Sequence, residues 1–149
     1  MKVEIVPLSF ENIDRVCRME EASFSMPWKR KDFEDLIKDE GSEYFVLEAD
    51  GYPIGAAGYT DAVGEGYINN VVIDEEYRGH GFGKQLMEAV LNAGRRKGIF
   101  DFSLEVRVSN EPAIKLYESL GFENAGIRKR FYEHPVEDAM VMWLYSERK

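Results

Sequence analysis

The chain has almost none of the residues from which redox and metal sites are built: one cysteine, Cys17, and two histidines, His80 and His134, in 149 positions. A lone cysteine excludes an internal disulfide. No two of these three residues lie at metal-ligand spacing, so no zinc site and no metal requirement is expected. Long apolar runs are missing too: nothing approaches the roughly 18 residues that a membrane-spanning helix needs. The opening "MKVEIVPLSF" has one basic residue and a short apolar patch broken by Pro7, unlike a signal peptide or an anchor. A reducing cytosol is the expected compartment, with no membrane partner. Basic residues are outnumbered 19 to 28, for a net charge of −9, which argues against nucleic-acid binding, because phosphate contacts need clustered Lys and Arg. The acidic excess favours a cationic partner, and it serves solubility equally well.

What is present suffices for one core. With 44% hydrophobic and 13% aromatic residues, 149 positions make a single domain, 1–149, and are too few for two. "VEIVPL" reads as a strand, after which Ser9 offers an N-cap to a helix with Ile13, Val16, Cys17 and Phe24 on its apolar stripe. Glu20 interrupts that stripe. It marks either an exposed helix end or a cavity where charge is wanted. Pro27 suits the first turn of a second helix with Phe33, Leu36 and Ile37 inward, and Gly41 follows its end.

Three β-like runs come next, "YFVLEA", "PIGAAGYT" and "GYINNVVI", separated by Asp50-Gly51 and Gly64-Glu65-Gly66, an arrangement that suits an antiparallel meander. A helix carrying Phe82, Leu86, Ala89, Val90 and Ala93 on one face then runs to the basic "RRKG". In "FDFSLEVRV" the apolar residues alternate with Asp101, Ser103, Glu105 and Arg107, so Glu105 leaves the apolar face. Asn110 can cap a fourth helix, Pro112 fits its first turn, Ala113, Leu116, Tyr117 and Leu120 form its stripe, and Gly121 ends it. Two final strands are expected around "FENAGIRKRFY" and "AMVMWLY". This order predicts an α+β fold with a mixed sheet.

The stretch "YRGHGFG", Tyr77 to Gly83, stands where a strand gives way to a helix. Glycines there open unpaired backbone N–H groups to a ligand, which makes an anion cradle. A P-loop ending at Lys84 would need Gly and Ser or Thr where Arg78 and Gln85 stand. The dinucleotide fingerprint fails as well, because its last glycine falls on Lys84 or Leu86. R-x-x-G-x-G fits, with Arg78 to pair with phosphate and Gly81 and Gly83 to open the backbone.

In this loop the chain resembles the GNAT superfamily of acetyl-CoA-dependent N-acyltransferases. "SMPW", "LEVRVSN" with "LYESLGF", and "DAMVM" make it similar to the RimI-type ribosomal-protein-alanine N-acetyltransferases. The resemblance implies a mostly antiparallel central sheet of about seven strands flanked by about four helices. It implies acetyl-CoA as cosubstrate and a protein N-terminus, an alanine of a ribosomal protein, as acceptor. Glu105 is implied as base and Tyr117 as acid. Coenzyme contacts are implied for Val71, Val72, Ile73, Arg78, Gly79, His80, Gly81, Phe82, Gly83 and Asn110, the first three through their backbone. Met26, Pro27, Trp28 and Tyr132 are implied at the acceptor end, where Glu20 could attract a cationic peptide. Several have a plainer role open to them: strand surface for Glu105, core for Tyr117 and Trp28, strand pairing for Tyr132; for Asn110 a helix cap and a coenzyme contact are compatible. An acetyltransferase for small amines or polyamines, one for broader N-terminal peptides, and a non-catalytic acyl-CoA-binding module remain alternatives.

Overall fold

The computed structural model describes residues 1–146. Its seven strands form one sheet in the order β1-β2-β3-β4-β5-β7-β6, with β1 Val3–Pro7, β2 Ser42–Ala49, β3 Tyr52–Ala62, β4 Glu65–Ile73, β5 Phe102–Arg107, β6 Glu123–Glu133 and β7 Val136–Leu144. Four helices accompany it: α1 Ile13–Ser23, α2 Arg30–Lys38, α3 Phe82–Arg96 and α4 Glu111–Ser119. All neighbouring strands are antiparallel except β4 and β5, which is the expected mixed sheet. The meander of β2, β3 and β4 is present. Its second turn falls on Val63 and Gly64, both at positive φ, while Gly66 lies inside β4 against Phe102.

Two groups of apolar side chains hold the sheet from its two faces. One joins α3 and α4 to the strands through Leu86, Met87, Val90, Phe102 and Tyr117. The other sets α1 and α2 on Val46, Ala56 and Val72 through Ile13, Val16, Met19 and Phe33. Two helix starts differ from the sequence expectation. Helix α1 begins at Ile13, one turn after Ser9, whose hydroxyl accepts from the Glu11 N–H instead of capping the helix. Helix α2 begins at Arg30 because Lys29 takes the cap position, its N–H donating to Asp32 Oδ2 at 2.8 Å. Pro27 and Trp28 therefore belong to the preceding loop. Phe24 also lies beyond α1, exposed in extended backbone, since the helix stops at Ser23.

Strand β4 is less regular than its sequence. Ala57 pairs with Val71 and Tyr59 with Ile68, so Asn69 and Asn70 together oppose the single Gly58 and form a bulge. On the other side β4 pairs with β5 only at Gly66–Phe102 and Tyr67–Ser103, after which the two strands part. At the far edge β6 is exposed along its whole length apart from the half-buried Tyr132, and its register with β7 shifts between Asn124 and Gly126 and again between Arg128 and Tyr132.

Candidate active site

The fork between β4 and β5 collects the polar side chains that matter. Alternation along β5 buries Phe102, Leu104 and Val106 and turns Ser103, Glu105 and Arg107 to the opposite face. Glu105 is 10% exposed, and both of its oxygens are engaged. Oε1 accepts from the Tyr67 hydroxyl, and Oε2 pairs with Arg128 Nη1 at 2.8 Å. Arg107, two residues on, lays its guanidinium over the Tyr132 ring at 4.3 Å and donates to Pro135 O at 3.0 Å and Glu137 Oε1 at 3.1 Å. That fixes the β6–β7 turn to β5.

Tyr67 and Tyr132 beside this carboxylate, and Tyr117 on α4, are held protonated. Burial, then the hydrogen bond to Glu105, pushes Tyr67 well above the usual phenol range. Burial, then the Glu105 charge, pushes Tyr132 up to about 12. Tyr117, 7% exposed on α4 with its ring 5.9 Å from Phe122, is raised by burial and then by Tyr132.

The glycine loop lies at the other end of β4. Val71 and Ile73 pair with Ala57 and Gly55 of β3, leaving their opposite backbone edge without a strand neighbour where β5 has parted. Val72 is buried in the core beneath α1. Gly79 and Gly81 adopt φ of +79° and +83°, where a Cβ would be strained although it would meet nothing within 4 Å. Gly81 is the N-cap of α3, and no side chain caps that helix, so its first N–H groups are available to an anion. Gly83 lets α3 approach Leu116 of α4. His80 and Arg78 are exposed, and Phe82 packs its ring 6.2 Å from Tyr77. Arg78 donates to Ile73 O and to Ser23 Oγ, each at 3.0 Å, which ties the loop to β4 and to the end of α1. Asn110 caps α4 by accepting from the Ala113 N–H. A cradle of backbone donors, a guanidinium beside it and an open strand edge fit a pyrophosphate followed by an amide-bearing arm.

The segment from Met26 to Trp28 makes the remaining wall. Met26 is exposed, Pro27 is half-buried, and Trp28 packs 5.3 Å from Phe33 at the edge of the second core. The Ser25 hydroxyl donates to His134 O, which joins this loop to the turn after Tyr132. Beneath it lies Glu20, 2% exposed, accepting from the Trp28 N–H at 3.0 Å and from Asn70 Nδ2 at 2.6 Å. Burial lifts its carboxyl above the ordinary range, against the pull of those two bonds. Of the two sequence readings, the exposed helix end is therefore corrected: Glu20 is an internal tie between α1, the loop and the β4 bulge.

Sequence reasoning missed Tyr67, Arg128, Arg107 and Asn70. Tyr67 and Arg128 stand 38 and 23 positions from Glu105, and no local spacing connects them.

A sheet split between two parallel strands, with a helix-capping glycine loop at the split, defines a class. A family model described as the acetyltransferase (GNAT) family matches residues 13–122, and the chain belongs to that family. It is an acetyl-CoA-dependent N-acetyltransferase. Among its relatives, a Bacillus subtilis (strain 168) protein, provisionally named a ribosomal protein bS18-alanine N-acetyltransferase, is 36% identical over 96% of this chain and 95% of its own. The ribosomal protein bS18-alanine N-acetyltransferase of Escherichia coli (strain K12) is 32% identical over 94% and 95%. A crystal structure of the ribosomal-protein-S18-alanine N-acetyltransferase from Escherichia coli superposes with a TM-score of 0.89 at 30% identity, covering 99% of this chain and 97% of that one.

Proposed function

We propose that this enzyme acetylates the α-amine of a protein N-terminus, the alanine of ribosomal protein bS18, by direct transfer within a complex of both substrates. The observation that carries the chemistry is Glu105, a nearly buried carboxylate at the fork between the open edge of β4 and the wall formed by the Met26 loop and the Tyr132 hairpin. The acceptor is supported by the relatives' substrate, since both share nearly the full length of this chain.

Acetyl-CoA supplies the acetyl group as an activated thioester. The Gly79–Gly83 loop, with Arg78 and the α3 N-terminus, holds the pyrophosphate, and the backbone of Val71–Ile73 orients the arm and the carbonyl. His80, Phe82 and Asn110 border that site. Glu105 takes a proton from the acceptor's ammonium, directly or through water, so that the neutral amine can attack. Tyr117 keeps a proton at its hydroxyl for the departing sulfur, and burial ensures that the proton is there. Met26, Pro27, Trp28 and Tyr132 receive the first residues of the acceptor.

The test is thiol release from acetyl-CoA with an alanine-initiated bS18 peptide, an internal-lysine peptide and spermidine, with mass spectrometry locating the acetyl group. Acetyl on the α-amine of the bS18 peptide is expected. Glu105→Gln should lower turnover about 10²-fold or more while leaving acetyl-CoA affinity within about twofold. Transfer to spermidine alone would discard the acceptor, and an unchanged rate in Glu105→Gln would discard the base.

A further inference from the structure

The two partners of Glu105 are held in different ways. Tyr67 is the last residue of β4 paired with β5, opposite Ser103, so the sheet fixes its hydroxyl. Arg128 comes from the exposed edge strand, its side chain is 58% exposed, and it stands where β6 leaves its register with β7. Its other contact is with the face of Phe131, 4.8 Å from the ring centre, a side chain that is itself exposed. A guanidinium on such a stem can leave its carboxylate and be received by water and an aromatic face at little cost. Tyr67 has no comparable exit.

We propose that Arg128 is a place-holding cation: in the free enzyme its guanidinium occupies the outward oxygen of Glu105, and the α-ammonium of the acceptor binds by displacing it. The proposal rests on Glu105 as the group that meets the acceptor, and it assigns Arg128 as a specificity-determining residue. The geometry favours exchange over joint binding, because a guanidinium and an ammonium on one carboxylate oxygen repel each other. It also sets how far the site separates charged from uncharged chain ends. A charged amine can compete with the guanidinium for Oε2, whereas an uncharged chain end offers nothing to replace it. Arg128 therefore lowers the affinity of an acceptor whose own cation must take Oε2, by the fraction of time it holds Glu105, and leaves a ligand with an uncharged chain end unaffected.

The experiment measures dissociation constants on the CoA-loaded protein for two peptides. One is the bS18 N-terminal peptide with its free alanine amine; the other has the same sequence with propionyl in place of that alanine, so that only the amine is missing. In Arg128→Gln the amine peptide should bind about two- to sixfold tighter, as removal of an exposed competing ion pair implies. The propionyl peptide should not change. Arg128→Lys, which keeps a cation on a long stem, should retain the wild-type ratio of the two affinities. Equal shifts for both peptides in Arg128→Gln would reduce Arg128 to a prop for the hairpin, and weaker binding of the amine peptide would make it a direct acceptor contact. Either result overturns the proposal. Turnover of Glu105→Gln is scored separately, so a failed base assignment and a failed exchange are told apart.

Discussion

At the scale of single residues, the site divides its groups between the Glu105 carboxyl and phenols that keep their protons. Tyr117 shows why that division is useful. Its ring belongs to the core and its hydroxyl is raised by burial and by Tyr132, so it keeps its proton across the physiological range. Tyr117→Phe should preserve the packing against Phe122 and the affinity for acetyl-CoA, yet lower kcat about 10²-fold. Because the shift is upward, the wild-type rate should show no loss from this group below about pH 10, the ordinary tyrosine value. A kcat in Tyr117→Phe within a factor of two of wild type would remove the acid role.

At the scale of elements, Glu20 couples α1, the Trp28 loop and the bulge in β4. Its carboxyl pKa is raised on folding, so the folded protein binds the proton more tightly than the unfolded chain. That stabilisation is full below the unfolded value and is lost as pH rises through the folded one. Glu20→Gln removes the effect while keeping an acceptor for the Trp28 N–H, and a turned Asn70 amide can accept from the new side chain. The variant should therefore gain stability relative to wild type as pH climbs from about 4.5, with a slope of at most about 1.4 kcal/mol per pH unit. Parallel unfolding curves from pH 4 to 7 would refute this.

Elements were also where the sequence spoke most and failed most informatively. The alternation that placed Glu105 off the apolar face, the Asn110 cap and the glycine loop before α3 were all legible, because each depends on neighbours within a few residues. The starts of α1 and α2 were not, since Ser9 closes a turn ahead of α1 and Lys29 takes the cap of α2. "GYINNVVI" reads as an uninterrupted strand, and the bulge at Asn69 and Asn70 follows from pairing with β3. Tyr67 and Arg128 joined the site only through the sheet's long-range order.

At the scale of the whole molecule, the chain carries a net charge of −9, and its proposed acceptor enters as a cation. Such a field concentrates cationic ligands and weakens as salt screens it. KM for a lysine-rich acceptor should rise about three- to tenfold between roughly 0.02 and 0.5 M salt, with kcat steady, whereas a neutral acceptor should change less than twofold. Equal responses from the two would confine electrostatics to the site itself.

The edge strand β6 bears on a different property, the tendency of open sheets to polymerise. An exposed strand of 11 residues is a template on which another chain could lay a strand of its own. Here Arg128, Lys129 and Arg130 stand consecutively at the point where β6 loses register with β7, and Arg130 takes the left-handed backbone conformation. A second copy approaching that edge would meet like charge and a kinked, interrupted ladder of hydrogen bonds. The irregularity beside the β6–β7 turn thus also guards the molecule against fibrous self-association.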